Sequence, residues 1–225
     1  MQEPQIRTID QSTGQAGAPA LEVNKVLRNT YTLLAMTLMF SAVTAYLSRN
    51  SAPINPWLFM GGFIGLSFLA QMLANSAWGL LAVFGFTGFV GYAIGPLLGA
   101  LTQSAVGGEI VMQALAGTAL IFFGLSAYVL TTRKDFSFMS GFLVAGAIVL
   151  MLGVVGSLIF QISGLHLALS AGFMLFSSAL ILWQTSEIIH GGERNYIIAT
   201  IGLYASIYNI FISLLHLLMA FTGDD

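Results

Sequence analysis

The side chains that could do chemistry in this chain are few, and most of them fall near its last two long apolar runs. His166 and Glu187 lie near opposite ends of one run, with His190 just beyond, and His216 lies near the end of the next run. An ionisable group is costly inside a bilayer. Each of the four is therefore a candidate for ion binding or proton transfer.

Polar and small residues extend these candidates into two stripes. At 100° per residue, the spacing within each set keeps its members on one helix face. The first stripe is His166, Ser170, Ser177 and Gln184, with Glu187 one turn further, and the second is Gly202, Ser206, Asn209, Ser213 and His216. The stripes fit either a polar path or ion site between two helices, or helix packing through small residues and interhelical hydrogen bonds.

Metal binding has little support in these residues. Zinc usually takes three or four protein ligands, whereas His166 and His216 are two, and the chain has no cysteine. We therefore predict that the histidines pack or lie at the membrane interface, with no metal site and no cofactor. Glu187 fits two interpretations: a proton or cation ligand, or a solvated carboxylate beside Glu193 and Arg194.

Catalytic patterns are also missing. A nucleophilic enzyme needs an activated nucleophile with its base, but Ser67 and Ser126 follow Gly-Leu without the second glycine of a rhomboid-type motif. No long apolar run contains an aspartate, and the His-Glu-x-x-His pattern does not occur. We predict no catalytic residues and no enzymatic activity.

The composition determines the class of protein that must position these side chains. The chain has 225 residues, of which 57% are apolar and only 7% charged, against roughly 25% charged in soluble domains. A 12% aromatic content argues against disorder, and seven Lys and Arg residues argue against a nucleic-acid partner. A multi-pass membrane protein surrounded by lipid is the remaining class.

Seven uncharged runs are long enough to cross a bilayer, which takes about 20 apolar residues in a helix. Transmembrane strands would alternate over about ten residues, and these runs do not. The predicted fold is thus an all-α bundle of seven transmembrane helices in one domain. The runs are Leu27–Leu47, Trp57–Ala74, Trp78–Leu101, Ile110–Leu130, Phe138–Phe160, Leu165–Thr185 and Tyr196–Phe221.

The charges predict the orientation of the bundle. Cytoplasmic loops carry an excess of Lys and Arg. If the N-terminus is cytoplasmic, only Arg49 lies on the outer side, and Asp225 at the C-terminus is outside as well. Residues 1–22 are small and polar, so we predict a disordered cytoplasmic tail followed by a transmembrane domain over residues 23–225. The residues assigned to the cytoplasmic side are Arg7, Lys25, Arg28, Arg133, Lys134 and Arg194.

Gly95-Pro96 interrupts the third run. Proline removes a backbone donor, so a carbonyl of the preceding turn must find another partner. The sequence leaves open whether this position is a packing kink or part of a gate.

Several segments resemble one family. Residues 91–98 (GYAIGPLL), followed by residues 114–122 (ALAGTALIF), are similar to the signature of the Bax inhibitor family, also called the transmembrane Bax inhibitor motif proteins. Residues 25–31, 127–135 and 189–193 resemble its bacterial branch. The resemblance implies a seven-helix bundle in the bacterial inner membrane, with the last helix surrounded by the other six.

The resemblance also implies partners. Proteins of this branch are modulators and substrates of the membrane-anchored ATP-dependent protease FtsH, which acts with HflK and HflC. A processive protease needs an unstructured handle, which the N-terminal tail would supply. The expected function is therefore modulation of this protease, with the chain as a slowly degraded substrate.

A second family activity is a pH-sensitive calcium leak, which needs two aspartates in helices six and seven and an arginine in helix two. The resemblance places Gln184 and Ser206 at the aspartate positions, and helix two has no arginine. An amide and a hydroxyl do not titrate there, and calcium prefers carboxylates. A calcium or cation leak with a degenerate pH sensor stays as the alternative, with Glu187 the nearby carboxylate and Asn209 on the same polar path.

Overall fold

In a computed structural model, which describes residues 17–160 and 164–222, the chain is all helical, with no strand in these ranges. One short 3-10 turn, Ser137–Met139, precedes the fifth helix. The seven α-helices are α1 Gly17–Ser48, α2 Pro56–Met72, α3 Gly79–Leu101, α4 Ala105–Thr132, α5 Ser140–Phe160, α6 Leu165–Ile189 and α7 Tyr196–Thr222.

Six of the seven runs form helices long and apolar enough to cross a membrane, and the second forms a shorter one. Helix α2 has 17 residues, about 26 Å at about 1.5 Å each. It begins where the Asn55 side chain accepts a hydrogen bond from the Trp57 N–H, with Pro56 in the first turn, where a missing N–H costs nothing. Seven helices form where seven were predicted, and six of them are confirmed as long enough to span, whereas a membrane crossing by the shorter α2 stays a prediction.

The ends of the chain bear on the predicted tail. Helix α1 begins at Gly17, so residues 17–22, which we assigned to the tail, belong to this helix. Residues 1–16 and the C-terminal Asp225 lie outside the described residues. Disorder of residues 1–16 and the orientation of the bundle stay predictions.

Helix α7 is the most buried of the six candidate spans. Within its most apolar window 61% of residues are buried, against 11% for the span containing α5. Helix α7 packs on α1, α2, α3, α4 and α6, whereas α5 packs on α6 and the 3-10 turn. The expectation of a last helix surrounded by all six others is therefore wrong for α5, which reaches the bundle only through α6.

Helices α1 and α3 make the most extensive helix–helix contact among the described residues. Four glycines of α3, spaced by three or four residues, face α1 and leave no room for a Cβ atom. At Gly95, for example, a Cβ would lie 2.5 Å from the Ala45 carbonyl oxygen. Small residues allow such close approach in membranes. The four are Gly88, Gly91, Gly95 and Gly99.

The same contact explains how a proline fits inside α3. Pro96 cannot donate to the Tyr92 carbonyl one turn earlier, and the Ser48 hydroxyl of α1 donates to that carbonyl instead, at 2.8 Å. The expected partner of the freed carbonyl is thus found. Helix α3 continues unbroken through Pro96, which is buried.

Candidate functional site

A polar cavity of about 360 Å³ lies at the end of the bundle where α6 ends and α7 begins. It contains the two strongest site candidates, Gln184 and Glu187, on neighbouring turns of α6. Helix α2 contributes two further polar side chains, Ser67 and Gln71. The remaining lining residues are Phe63, Trp183, Gly192, Glu193, Ile198, Ala199, Ile201, Gly202 and Ala205.

Gln184 packs against the glycine that begins the predicted stripe of α7. A Cβ on Gly202 would lie 2.8 Å from Gln184 Nε2. Gln184 Oε1 is buried and has no hydrogen-bond partner within the described residues. The Ser206 hydroxyl donates to the Gly202 carbonyl at 3.0 Å. Gln184 and Ser206 therefore lie near the same glycine, but Ser206 is bonded to its own helix.

Glu187 is half-buried, with its carboxylate against Gly192 in the connection between α6 and α7. The backbone N–H groups of Gly192 and Glu193 donate to the Glu187 carbonyl at 2.9 and 3.2 Å, which closes the end of α6. Arg194 Nε donates to the Gly191 carbonyl at 3.2 Å. The Glu187 carboxylate therefore lies beside the connection from α6 to α7, where it lines the polar cavity.

His190, at the end of α6, contacts the hydroxyl and the carbonyl oxygen of Ser186. Its Nδ1 lies 2.9 Å from the Ser186 carbonyl oxygen. The Ser186 hydroxyl accepts a hydrogen bond from the Phe136 N–H at 2.9 Å. The Ser137 N–H donates to the Asp135 carboxylate at 2.8 Å and lowers the pKa of that carboxyl. These bonds attach the connection between α4 and α5 to the end of α6.

His166 and His216 lie at the opposite end of the bundle, and both are exposed. Helices α6 and α7 are joined by a short connection and pack together, so the start of α6 and the end of α7 lie at one end. Within the described residues, no three His, Cys, Asp or Glu side chains gather as a metal site would require. The role of the two histidines stays a prediction.

The serines of the two predicted stripes are buried, on two helices that pack together, whereas the histidines at the stripe ends are exposed. Ser170 bonds to the His166 carbonyl in its own helix, at 2.9 Å. The Ser177 hydroxyl is buried without a partner in the described part of the chain. Asn209 is half-buried and is absent from the lining of the polar cavity. Helix packing and a polar path both stay predictions for these stripes, and the members that line the polar cavity are Gln184, Glu187 and Gly202.

The Tyr204 hydroxyl connects three helices inside the bundle. Tyr204 is 1% exposed, its hydroxyl donates to the Thr87 carbonyl at 3.2 Å, and it lies 2.7 Å from the Ser41 hydroxyl. These bonds join α7 to α3 and α1. Ser41 and Thr87 were not among the residues that the sequence singled out. The sequence signal that could have pointed to Ser41 is the set of small residues in α1 that face the glycines of α3.

A second cavity, of about 520 Å³, approaches Tyr204 from the end of the bundle that carries Arg49. Its lining is almost wholly apolar and comes from α1, α3, α4 and α7. Aromatic rings lie between the two cavities: Phe63, of the polar cavity, is 6.1 Å from Tyr208, of the apolar one, and Phe86 packs edge-on to Tyr204 at 5.6 Å. The cavities therefore enter from opposite ends and meet an aromatic layer.

Comparison with known proteins agrees with the sequence signature. A family model described as inhibitor of apoptosis-promoting Bax1 matches residues 23–223, nearly the whole described chain. The match covers α1 from Val23 onward and all of α2 to α7. It therefore concerns the complete bundle and both cavities.

Three bacterial relatives cover most of the chain. An uncharacterized protein of Pseudomonas aeruginosa is 57% identical over 227 residues, which is 100% of both chains. The modulator of FtsH protease YccA of Escherichia coli K12 is 52% identical over 200 residues, 88% of this chain and 91% of the relative. A protein of Escherichia coli O6:H1 with the same identity and coverage is named inner membrane protein YccA.

Proposed function

Because the chain belongs to the Bax inhibitor family, we propose that it is a multi-pass protein of the bacterial inner membrane that binds and modulates the membrane-anchored protease FtsH. The observation that carries this proposal is the similarity to YccA of Escherichia coli, whose name states that activity, over nearly all of both chains. HflK and HflC, which act with this protease, are further proposed partners.

Engagement would begin at the N-terminus. Residues 1–16 precede α1, are free of long apolar runs and have both charge signs. An ATP-driven protease pulling on this segment reaches α1 first. The rate of degradation would then depend on how firmly α1 is held in the bundle.

Helix α1 is held by close packing and by hydrogen bonds to two other helices. The glycines of α3 bring the two backbones together, and Ser48 bonds to the Tyr92 carbonyl. Ser41 bonds to Tyr204 of α7. Broken hydrogen bonds are costly in a bilayer because no water replaces them. Extraction of α1 would therefore be slow, and the protease would stay occupied during it.

A truncation tests the proposed handle. Deletion of residues 2–16 should lengthen the half-life of the chain in cells that contain the protease, with no change in cells that lack it. Replacement of residues 2–16 by a glycine-serine segment of equal length is the matched control and should restore degradation. An unchanged half-life after the deletion would show that the protease does not engage this segment.

Crosslinking in native membranes tests binding separately from degradation. The full chain should be recovered with the hexameric protease and with HflK and HflC. The truncated chain should also be recovered if the membrane domain contributes contacts. Recovery of the full chain without the protease would contradict the proposed function and favour the alternative.

A cation leak is the second candidate, because the polar cavity carries Glu187 and an unpartnered Gln184 oxygen next to the aromatic layer. We expect calcium flux in proteoliposomes to be weak and without pH gating, since Gln184 and Ser206 do not titrate. Glu187→Gln tests the cavity, with Glu109→Gln, at a carboxylate that does not line it, as the control. A robust flux lost only in Glu187→Gln would overturn that expectation and establish the leak.

A further inference from the structure

Helices α1 and α4 both pack on α7 but stand apart from each other. Within the described residues, no Cα atom of α1 lies within 8 Å of one in α4. The rings of Tyr31 and Phe122 bridge the gap toward the polar end, with centroids 5.9 Å apart. Beyond this pair, toward Arg49, the gap becomes the apolar cavity of about 520 Å³.

The shape of this groove suits one hydrocarbon chain. Along α1 its lining extends from Leu38 to Arg49, a rise of about 17 Å at about 1.5 Å per residue. Ala42 and Leu115, on its two sides, are exposed on the surface of the helices, where the bilayer surrounds a transmembrane bundle. Water finds few hydrogen-bond partners in such an apolar groove. A lipid chain enters it from the side without crossing a polar layer.

The open end of the groove carries a positive charge. Arg49 follows the last residue of α1, and its guanidinium carbon lies 4.0 Å from the centroid of the Tyr46 ring. Tyrosine and arginine at a helix end are typical of the membrane interface. The other Lys and Arg residues of the described chain, Lys25, Arg28, Arg133, Lys134 and Arg194, belong to segments at the opposite end.

We propose that this groove binds one anionic phospholipid, with an acyl chain between α1 and α4 and the headgroup phosphate on Arg49. An acyl chain packs against the apolar walls of the groove, and a phosphate complements the exposed guanidinium. Phosphatidylglycerol, whose headgroup is anionic, should be preferred over zwitterionic phosphatidylethanolamine. The bound chain would fill the side of α7 that α1 and α4 leave uncovered.

Native mass spectrometry of the full chain, purified in mild detergent with equal amounts of phosphatidylglycerol and phosphatidylethanolamine, tests the proposal. We expect one retained phosphatidylglycerol. Arg49→Gln should reduce the preference for phosphatidylglycerol about fivefold, as loss of one cation near a headgroup predicts. Arg194→Gln, at the opposite end of the bundle, is the charge control and should leave the preference unchanged.

A second pair of variants tests the acyl chain. Ala42→Trp should block the groove and remove the bound lipid, whereas Ala145→Trp, at an exposed alanine of α5, should not. If Ala42→Trp does not fold, Leu115→Trp blocks the groove from α4. Equal retention of the two lipids, a bound lipid in both blocked variants, or displacement by soluble glycerol phosphate would each overturn the proposal.

Discussion

Helices α7 and α5 are both long and apolar, yet one lies at the centre of the bundle and the other at its edge. The span containing α5 has the highest mean hydropathy of the six candidate spans and the smallest buried share, 11% against 61% for α7. Helix α7 carries Gly202, Ser206 and Ser213 on its packed face, and Tyr204 bonds to two neighbouring helices. Helix α5 has no comparable hydrogen bonds to the bundle in the described residues.

The difference shows that apolarity does not determine burial inside a bilayer. Lipid chains are as apolar as leucine, so an apolar helix gains little by leaving them. Close packing of small residues and hydrogen bonds between polar groups stabilise a helix contact in lipid more than apolar surface does. Packing and hydrogen bonds therefore hold α7 against its neighbours, whereas most of the surface of α5 faces lipid.

Glycine substitutions should separate the two regions most strongly. Gly95→Leu in α3 places side-chain atoms where the Ala45 carbonyl and Ser48 now lie, and rigid backbone cannot move away. We expect the free energy of unfolding, measured by reversible SDS denaturation, to fall by about 3 kcal/mol or more. Gly156→Leu in α5, where nothing lies within 4 Å, should fold normally. Equal losses would contradict the comparison.

Truncation of a buried isoleucine should give the second-largest change in the free energy of unfolding. Ile210 of α7 is fully buried, and Ile148 of α5 is 57% exposed. Ile210→Ala should cost about 2 to 3 kcal/mol in the same measurement because it leaves a cavity. Ile148→Ala should change the free energy of unfolding by less than about 0.5 kcal/mol, since lipid fills the space. A large effect at Ile148 would mean that α5 has an additional partner surface.

A double-mutant cycle at Pro96 tests the hydrogen bond that joins α1 to α3. Ser48→Ala leaves the Tyr92 carbonyl without its donor and should cost about 1 kcal/mol. In the Pro96→Ala background the restored N–H supplies that donor, so Ser48→Ala should cost clearly less. An equal cost in both backgrounds would show that Ser48 acts only through its size.

The smallest effect concerns the exposed Asp135 beside α5. Hydrogen bonding from Ser137 lowers the pKa of Asp135 in the folded chain below its unfolded value, so the ionised carboxylate favours folding. This contribution is present above the unfolded pKa and is lost as the pH falls through the folded pKa. Asp135→Asn should therefore lower stability slightly at neutral pH and have no effect at acidic pH, measured by the melting temperature in detergent.

Residue types and their spacing predicted part of the candidate site. Gln184 and Glu187 share a cavity, as their spacing on one helix indicated. The Ser41 and Thr87 partners of Tyr204 come from helices far away in sequence, so no local pattern on α7 could identify them. The lateral groove beside Arg49 was also beyond local patterns, because it depends on two helices that do not touch.

The sequence by itself determined the class of protein and the number of helices, because an apolar run of about 20 residues in lipid must satisfy its backbone as a helix. It also showed that Pro96 leaves a carbonyl of the preceding turn in need of another hydrogen-bond donor. The tertiary structure decided which helix is central, which glycines meet a backbone and where the cavities open. Those features depend on close contacts between segments far apart in the sequence, which the residue pattern within one helix does not specify.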